Sequence, residues 1–125
     1  MLNVIQPASD STVVIIGTGV VGLAALMSVK MSTTPPQKII VADIVLQRLE
    51  TAKVLGATNL IDSWRTPDLR KALMGITNNE GVDGAIDTTG RPEVVEALLS
   101  STGKKGKVVT VGVGDVCVRV FHICI

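Results

Sequence analysis

Ten residues near the start of this chain restrict its fold more than any others. Val13-Val14-Ile15-Ile16 is an unbroken β-branched run that ends in Gly17-Thr18-Gly19-Val20-Val21-Gly22, and Leu23-Ala24-Ala25-Leu26-Met27 follows. β-Branched residues favour strands, and a run without polar alternation suits a strand buried on both faces of a parallel sheet. Leucine, alanine and methionine favour helices. The stretch therefore reads as strand, glycine turn, helix. A membrane span is the competing reading, because residues 11–29 carry no charge over nearly the length of a spanning helix. Three glycines and Thr18 in its middle, and the change of residue type across them, argue against a span.

The rest of the chain repeats the alternation. Residues 38–42 form a second short apolar strand, closed by Asp43, and residues 46–55 an amphipathic helix that Gly56 is placed to end. A brief third strand covers 59–61. A helix over 68–77 carries Leu69, Ala72, Leu73 and Ile76 on one face. Asn78-Asn79-Glu80-Gly81 is a turn, and 82–86 a fourth strand. Pro92 opens a helix at the position where a missing N–H does no harm, and that helix carries Val94, Val95, Leu98 and Leu99. Residues 107–111 are a fifth strand, and 115–125 supply material for a sixth. In the first helix, over residues 20–31, Leu23, Ala24, Met27 and Met31 recur at helical spacing. The alternation and short loops predict one α/β domain over residues 1–125. Its sheet is doubly wound and mainly parallel, a Rossmann sheet of five to six strands with right-handed crossovers.

Charge and cysteine usage bound the partners. Lys and Arg number 12 against 11 acids, so no net field draws the chain to nucleic acid or an anionic membrane, and neither is expected as a partner. Phe, Tyr and Trp make up only 2% of residues, which leaves the core to Val, Ile, Leu and Ala. Cys117 and Cys124 both fall in the last ten residues and make no disulfide framework. With no basic residue before the first apolar segment, the N-terminus is a poor secretory signal, and a reducing, cytoplasmic setting is expected.

Placed between a strand and a helix, G-x-G-x-x-G reads as a dinucleotide-binding loop. Gly17 permits the tight turn, Gly19 leaves room for a pyrophosphate against bare backbone, and Gly22 lets helix and strand approach. The helix N-terminus offers unpaired N–H groups and partial positive charge to phosphate. With no ligand, the same residues are simply a glycine turn. Asp43 lies 21 residues beyond Gly22, at the end of the second strand. An acid there can accept hydrogen bonds from both hydroxyls of an adenosine ribose and repels a 2′-phosphate, which favours NAD over NADP. The plain alternative is a solvated strand-end acid. Arg48 can reach the same ribose or a phosphate, although an arginine on a helix is ordinarily surface. The other half of such a site falls to Asp87-Thr88-Thr89-Gly90-Arg91 and Val111-Gly112-Val113-Gly114, after the fourth and fifth strands.

Other chemistry finds no footing. Strand alternation puts Cys117 on the opposite face from His122 and Cys124, and a zinc site wants four ligands or three plus water, so no metal site is expected. The sequence has no G-x-x-x-x-G-K-[ST] loop and no G-x-S-x-G elbow, and its single histidine serves no triad. Asp62, Asp83 and Asp87 are scattered strand-end acids. No catalytic residue is assigned.

Taken in order, "VVIIGTGVVGLAA", "VADI" with Arg48, "AKVLGAT", "GVDGAIDTTG" and "GKVVTVGV" resemble the coenzyme-binding domain of the medium-chain, zinc-type alcohol dehydrogenases, nearest the aryl- or benzyl-alcohol type. The resemblance runs from about residue 9 to residue 114, leaving 115–125 divergent. It implies that Gly17, Gly19, Val20 and Val21 contact the pyrophosphate and that Asp43 and Arg48 hold the adenosine ribose. It also implies that Thr89 and Arg91 line the cofactor cleft, and that Val111 and Val113 offer backbone to the nicotinamide carboxamide. The implied cofactor is NAD(H), with zinc in the complete family enzyme and not in this chain. The family's Cys, His (or acid) and Cys zinc ligands, its G-H-E segment and its four-cysteine lobe are absent from this sequence, so the expectation is a truncated chain. Two readings follow: the nicotinamide domain of an oxidoreductase that moves hydride between an alcohol and NAD, or a truncated, non-catalytic dinucleotide-binding module. An upstream G-H-E segment in the genomic sequence distinguishes them. In the family the last strand pairs with its partner across a two-fold axis. Residues 116–125 are apolar with Arg119 as their one charge, so a homodimer through the C-terminal edge is expected.

Overall fold

Strand β1, Thr12–Ile16, sits at the middle of the sheet, and its apolar run is buried as the sequence requires: Val13, Val14 and Ile15 are inaccessible to solvent. Each such side chain contributes about 1.5–3 kcal/mol relative to exposure. The computed structural model describes residues 10–112 and 117–122. Within them the elements run β1, α1 (Val20–Lys30), β2 (Lys38–Asp43), α2 (Leu46–Val54), β3 (Asn59–Asp62), α3 (Leu69–Ile76), β4 (Val82–Asp87), α4 (Pro92–Ser100), β5 (Thr102–Gly112) and β6 (Cys117–His122). The strand order is β3-β2-β1-β4-β5-β6. The first five strands are parallel, and β6 pairs antiparallel with β5. Only residues 113–116 separate β5 from β6, whereas a parallel crossover needs a dozen or more residues, so the antiparallel direction follows from chain length.

Alternation along the strands divides the core into two layers. Val13 and Ile15 of β1, Ile39 and Val41 of β2, Ile86 and Val109 pack with Ala25, Leu26 and Val29 of α1 and Leu49 and Ala52 of α2. Val14, Ile16, Ile40, Ala42, Ala85 and Val108 turn the other way, against Leu73 of α3 and Leu98 of α4. Helices therefore cover both faces, and the sheet is doubly wound. The chain passes from β1 outward through β2 to β3, then returns to β4 on the other side of β1. The carboxyl ends of β1 and β4 thus flank the switch point where open α/β sheets bind ligands.

Helix ends follow local chemistry. The Asp68 carboxylate caps α3 by accepting from the Lys71 amide at 3.0 Å. Gly56, at φ +115°, ends α2. Its amide donates to the Lys53 carbonyl and that of Ala57 to the Ala52 carbonyl, the paired bonds of a Schellman turn.

The structure selects the buried face of α1 and moves the start of β5 from its expected place. Helix α1 buries Gly22, Ala25, Leu26 and Val29, while Ala24, Met27 and Met31 lie exposed and Leu23 is half-buried. The helix is largely apolar, so periodicity does not select a face. The approach of Gly22 to the glycine loop selects it. Strand β5 begins at Thr102, five residues before the expected 107, because Thr102 pairs with Val82 ahead of a register shift that brings Lys107 opposite Gly84. No helix among the described residues is long and apolar enough to cross a membrane.

Candidate functional site

Beyond the carboxyl ends of β1, β2 and β4 lies a cleft of about 550 Å³. Its glycine-loop side is formed by Gly17, Thr18 and Gly19, its β2 side by Asp43, Ile44 and Arg48, and its β4 side by Thr88, Thr89 and Arg91. Ser63, Pro67 and Leu69, from the segment joining β3 to α3, also line it.

The glycine loop is held by both backbone and side-chain bonds. The Gly17 amide donates to the Ala42 carbonyl at 2.8 Å, and the Thr88 hydroxyl donates to the Ile16 carbonyl at 2.7 Å. Gly17 has φ +92°, and a Cβ there would collide with the Thr88 hydroxyl. A Cβ on Gly22 would collide with the Gly17 carbonyl oxygen, whereas one on Gly19 would meet nothing within 4 Å. The first and third glycines thus permit the close packing of the loop, and the second leaves open space in front of it. Gly19 also caps α1, whose first internal bond runs from the Leu23 amide to the Gly19 carbonyl at 2.9 Å. The amides of Val20, Val21 and Gly22 have no partner within the helix, and no acid occupies the first turn.

Asp43 is almost fully buried, with 7% of its surface exposed. Its Oδ2 accepts from the Thr18 amide at 2.8 Å and the Thr18 hydroxyl at 2.5 Å, and its Oδ1 accepts from the Val45 amide at 2.9 Å. Burial works to raise this carboxyl, but the Thr18 hydroxyl, the Val45 and Thr18 amides and the charge of Arg48 outweigh it and hold the group below its ordinary value. A carboxylate has about four acceptor positions, so roughly one remains, on Oδ1. Asp87, at the end of β4, is fully buried. Its Oδ1 accepts from the amide and hydroxyl of Thr89, and its Oδ2 from the Gly90 amide and the Thr110 hydroxyl. That carboxylate is saturated and shapes the loop that carries Thr89 and Arg91.

The sequence matches the family described as zinc-binding dehydrogenase over residues 20–123. The chain belongs to the zinc-binding dehydrogenase family. Sorbitol dehydrogenase of Bacillus subtilis is 40% identical over 108 residues, which are 86% of this chain and 29% of that protein. The solved benzyl alcohol dehydrogenase of Acinetobacter calcoaceticus superimposes with a TM-score of 0.80 at 38% identity, covering 93% of this chain and 32% of that one. Zinc-dependent alcohol dehydrogenase 2 of Streptococcus pneumonia gives 0.76 at 34%, with 84% and 30% covered. The chain thus spans less than a third of the length of these relatives, and its fold is the Rossmann fold of zinc-binding dehydrogenases.

Within this member of the zinc-binding dehydrogenase family, the cleft brings together Gly17, Gly19, Asp43, Arg48, Thr89 and Arg91. Val20 and Val21 lie beside it on the exposed first turn of α1, and Gly22 is buried beneath it. The Val111 side chain packs against the core layer that contains α1 and does not line the cleft. Val113 lies outside the described residues. Sequence reasoning missed Thr18, Ile44, Ser63, Pro67 and Leu69. Thr18 occupies a variable position of the glycine motif. The β3–α3 segment was findable by its position, because every loop after a parallel strand opens on this edge.

Proposed function

We propose that this chain is the NAD(H)-binding part of an alcohol dehydrogenase-like oxidoreductase. The observation that carries the reading is the single cleft holding both halves of a dinucleotide recognition pattern. At the glycine loop lie the open space before Gly19 and the free amides of α1, suited to a pyrophosphate. Beside the loop, bonded to its Thr18, lies the Asp43 carboxylate, held ionised and keeping one acceptor position, suited to a ribose hydroxyl and hostile to a phosphate in its place. Arg48 and Arg91 line the same cleft and add positive charge to it. When bound, the nicotinamide cofactor supplies hydride transfer, with an alcohol as the reductant in the complete enzyme. No three His, Cys, Asp or Glu side chains come together among the described residues, so no step is assigned to zinc here.

Trp64, the only tryptophan, is exposed and adjoins Ser63 of the cleft wall, so its emission should be quenched by energy transfer to a bound dihydronicotinamide. Titration followed this way is expected to give tighter binding of NADH than of NADPH. Asp43→Asn keeps the side-chain shape but removes its charge, and should narrow the difference by about 1–3 kcal/mol. Equal affinity for the two cofactors in the unaltered chain would sink the assignment of Asp43.

Association through β6 is part of the same proposal. This strand forms one edge of the sheet and leaves a row of backbone groups available for pairing. Light scattering should report a dimer that is lost when residues 117–125 are deleted, and a monomer at high concentration would contradict it.

A further inference from the structure

We propose that Thr18 is a positioning residue for ribose recognition: by engaging Asp43 Oδ2 with both its amide and its hydroxyl, it fixes Oδ1 as the oxygen that receives a ribose hydroxyl. The inference rests on the NAD(H) reading above and adds to it a residue and a stereochemical consequence. Thr18 is buried to 3% exposure, and its two donors, separated by 25 residues from Asp43 in sequence, converge on one oxygen at 2.8 and 2.5 Å. That oxygen has no further acceptor position, while Oδ1 holds only the Val45 amide. The carboxylate is therefore not free to turn both oxygens toward a diol.

The same contact makes the glycine loop and the end of β2 a single rigid unit. The Gly17 amide is bound to the Ala42 carbonyl one residue before Asp43, so backbone and side chain tie the two segments together. A pyrophosphate seated on the loop then arrives with its ribose at a fixed distance from Oδ1. Preorganisation of this kind aids binding because the ordering is completed in the free protein.

The hydroxyl is the part that can be removed without changing shape. Thr18→Val should weaken NADH binding by about 3- to 10-fold, the scale of one charge-assisted hydrogen bond partly retained through the amide. Thr18→Ser keeps the donor and should stay within about two-fold of the unaltered chain. A second readout separates positioning from packing. The Thr18 hydroxyl helps to hold the Asp43 carboxyl low, so its loss raises that group. NADH affinity should then begin to fall at a higher pH on acidification in Thr18→Val but not in Thr18→Ser. The groups around Asp43 that bear on this profile are Arg48 on α2, the register partner Asp62 on β3, Asp87 at the end of β4, and Arg91 and Glu93 in the same cleft. They are unchanged between the two variants.

The measurement is NADH titration of the full chain and both variants across acidic to neutral pH, with Asp43 followed by carboxyl carbon NMR. Thr18→Ala carries the same comparison should Thr18→Val fail to fold. Binding and pH profile alike in Thr18→Val and the unaltered chain would overturn the inference alone. So would a Thr18→Ser variant as weak as Thr18→Val, which would assign the effect to the methyl group. Absence of NADH binding by the unaltered chain would overturn the cofactor reading and this inference with it.

Discussion

Gly22→Ala is expected to destabilise the chain by about 3 kcal/mol or more, or to prevent folding, while Gly19→Ala costs it less than about 1 kcal/mol. The two glycines belong to one motif and differ by three positions, yet their surroundings are opposite. A methyl on Gly22 would be driven into the Gly17 carbonyl oxygen, which is backbone and has no rotamer to yield. Relief requires α1 to move off the sheet, and that uncovers Ala25, Leu26 and Val29, which are fully buried against β1 and β2. A methyl on Gly19 meets nothing, and its backbone, at φ −70° and ψ −168°, lies in the extended region open to any residue. The cost of Gly19→Ala should appear instead in the cleft, as weakened NADH binding, because the methyl projects into the space proposed for pyrophosphate. Urea unfolding and NADH titration of both variants test the pair. A Gly22→Ala chain with the unaltered midpoint would show that α1 is less closely bound to the loop than this geometry requires.

Where side chains report burial from two sides, the fold was legible in the sequence. Strands β1 and β2 are apolar runs because helices cover both faces of the sheet, and short loops between alternating elements leave few topologies open. Pro92 and Gly56 mark helix ends through constraints carried by those residues alone. Legibility failed where no such local constraint exists. A largely apolar α1 offers several equivalent stripes, and which one is buried depends on a contact with a loop earlier in the chain. The start of β5, Thr-Gly-Lys-Lys-Gly, has no strand pattern and becomes strand by pairing with Val82. In the cleft, Gly17 and Asp43 were findable because each meets a structural demand that few residue types satisfy. Thr18 was not, since its role arises from the approach of β1 and β2, and the motif leaves its position free.

The second large effect is expected at Asp87, which the sequence placed in the loop after the fourth strand and among the strand-end acids without a pairing partner. Asp87→Ala should remove about 3–5 kcal/mol of stability, the range found when a buried charge-assisted network loses its centre. The arithmetic lies in what remains behind. The carboxylate satisfies two backbone amides, of Thr89 and Gly90, and two hydroxyls, of Thr89 and Thr110, and Asp87 itself has no exposed surface. Thr110 is only 8% exposed, so its hydroxyl has little water to turn to, and the loop amides must open to find any. Opening that loop displaces Thr89 and Arg91 from the cleft, and NADH affinity should fall along with the unfolding midpoint. Thr110→Val separates the contributions. It removes one donor and leaves the loop bonds intact, so it should cost about 1–2 kcal/mol and leave NADH affinity nearly unchanged. A double-mutant cycle between the two positions should show coupling, because the Thr110 hydroxyl bonds no other group among the described residues. An Asp87→Ala chain within about 1 kcal/mol of the unaltered one would mean that water replaces the carboxylate, and that the loop is held by β4 and α4 rather than by their shared acid.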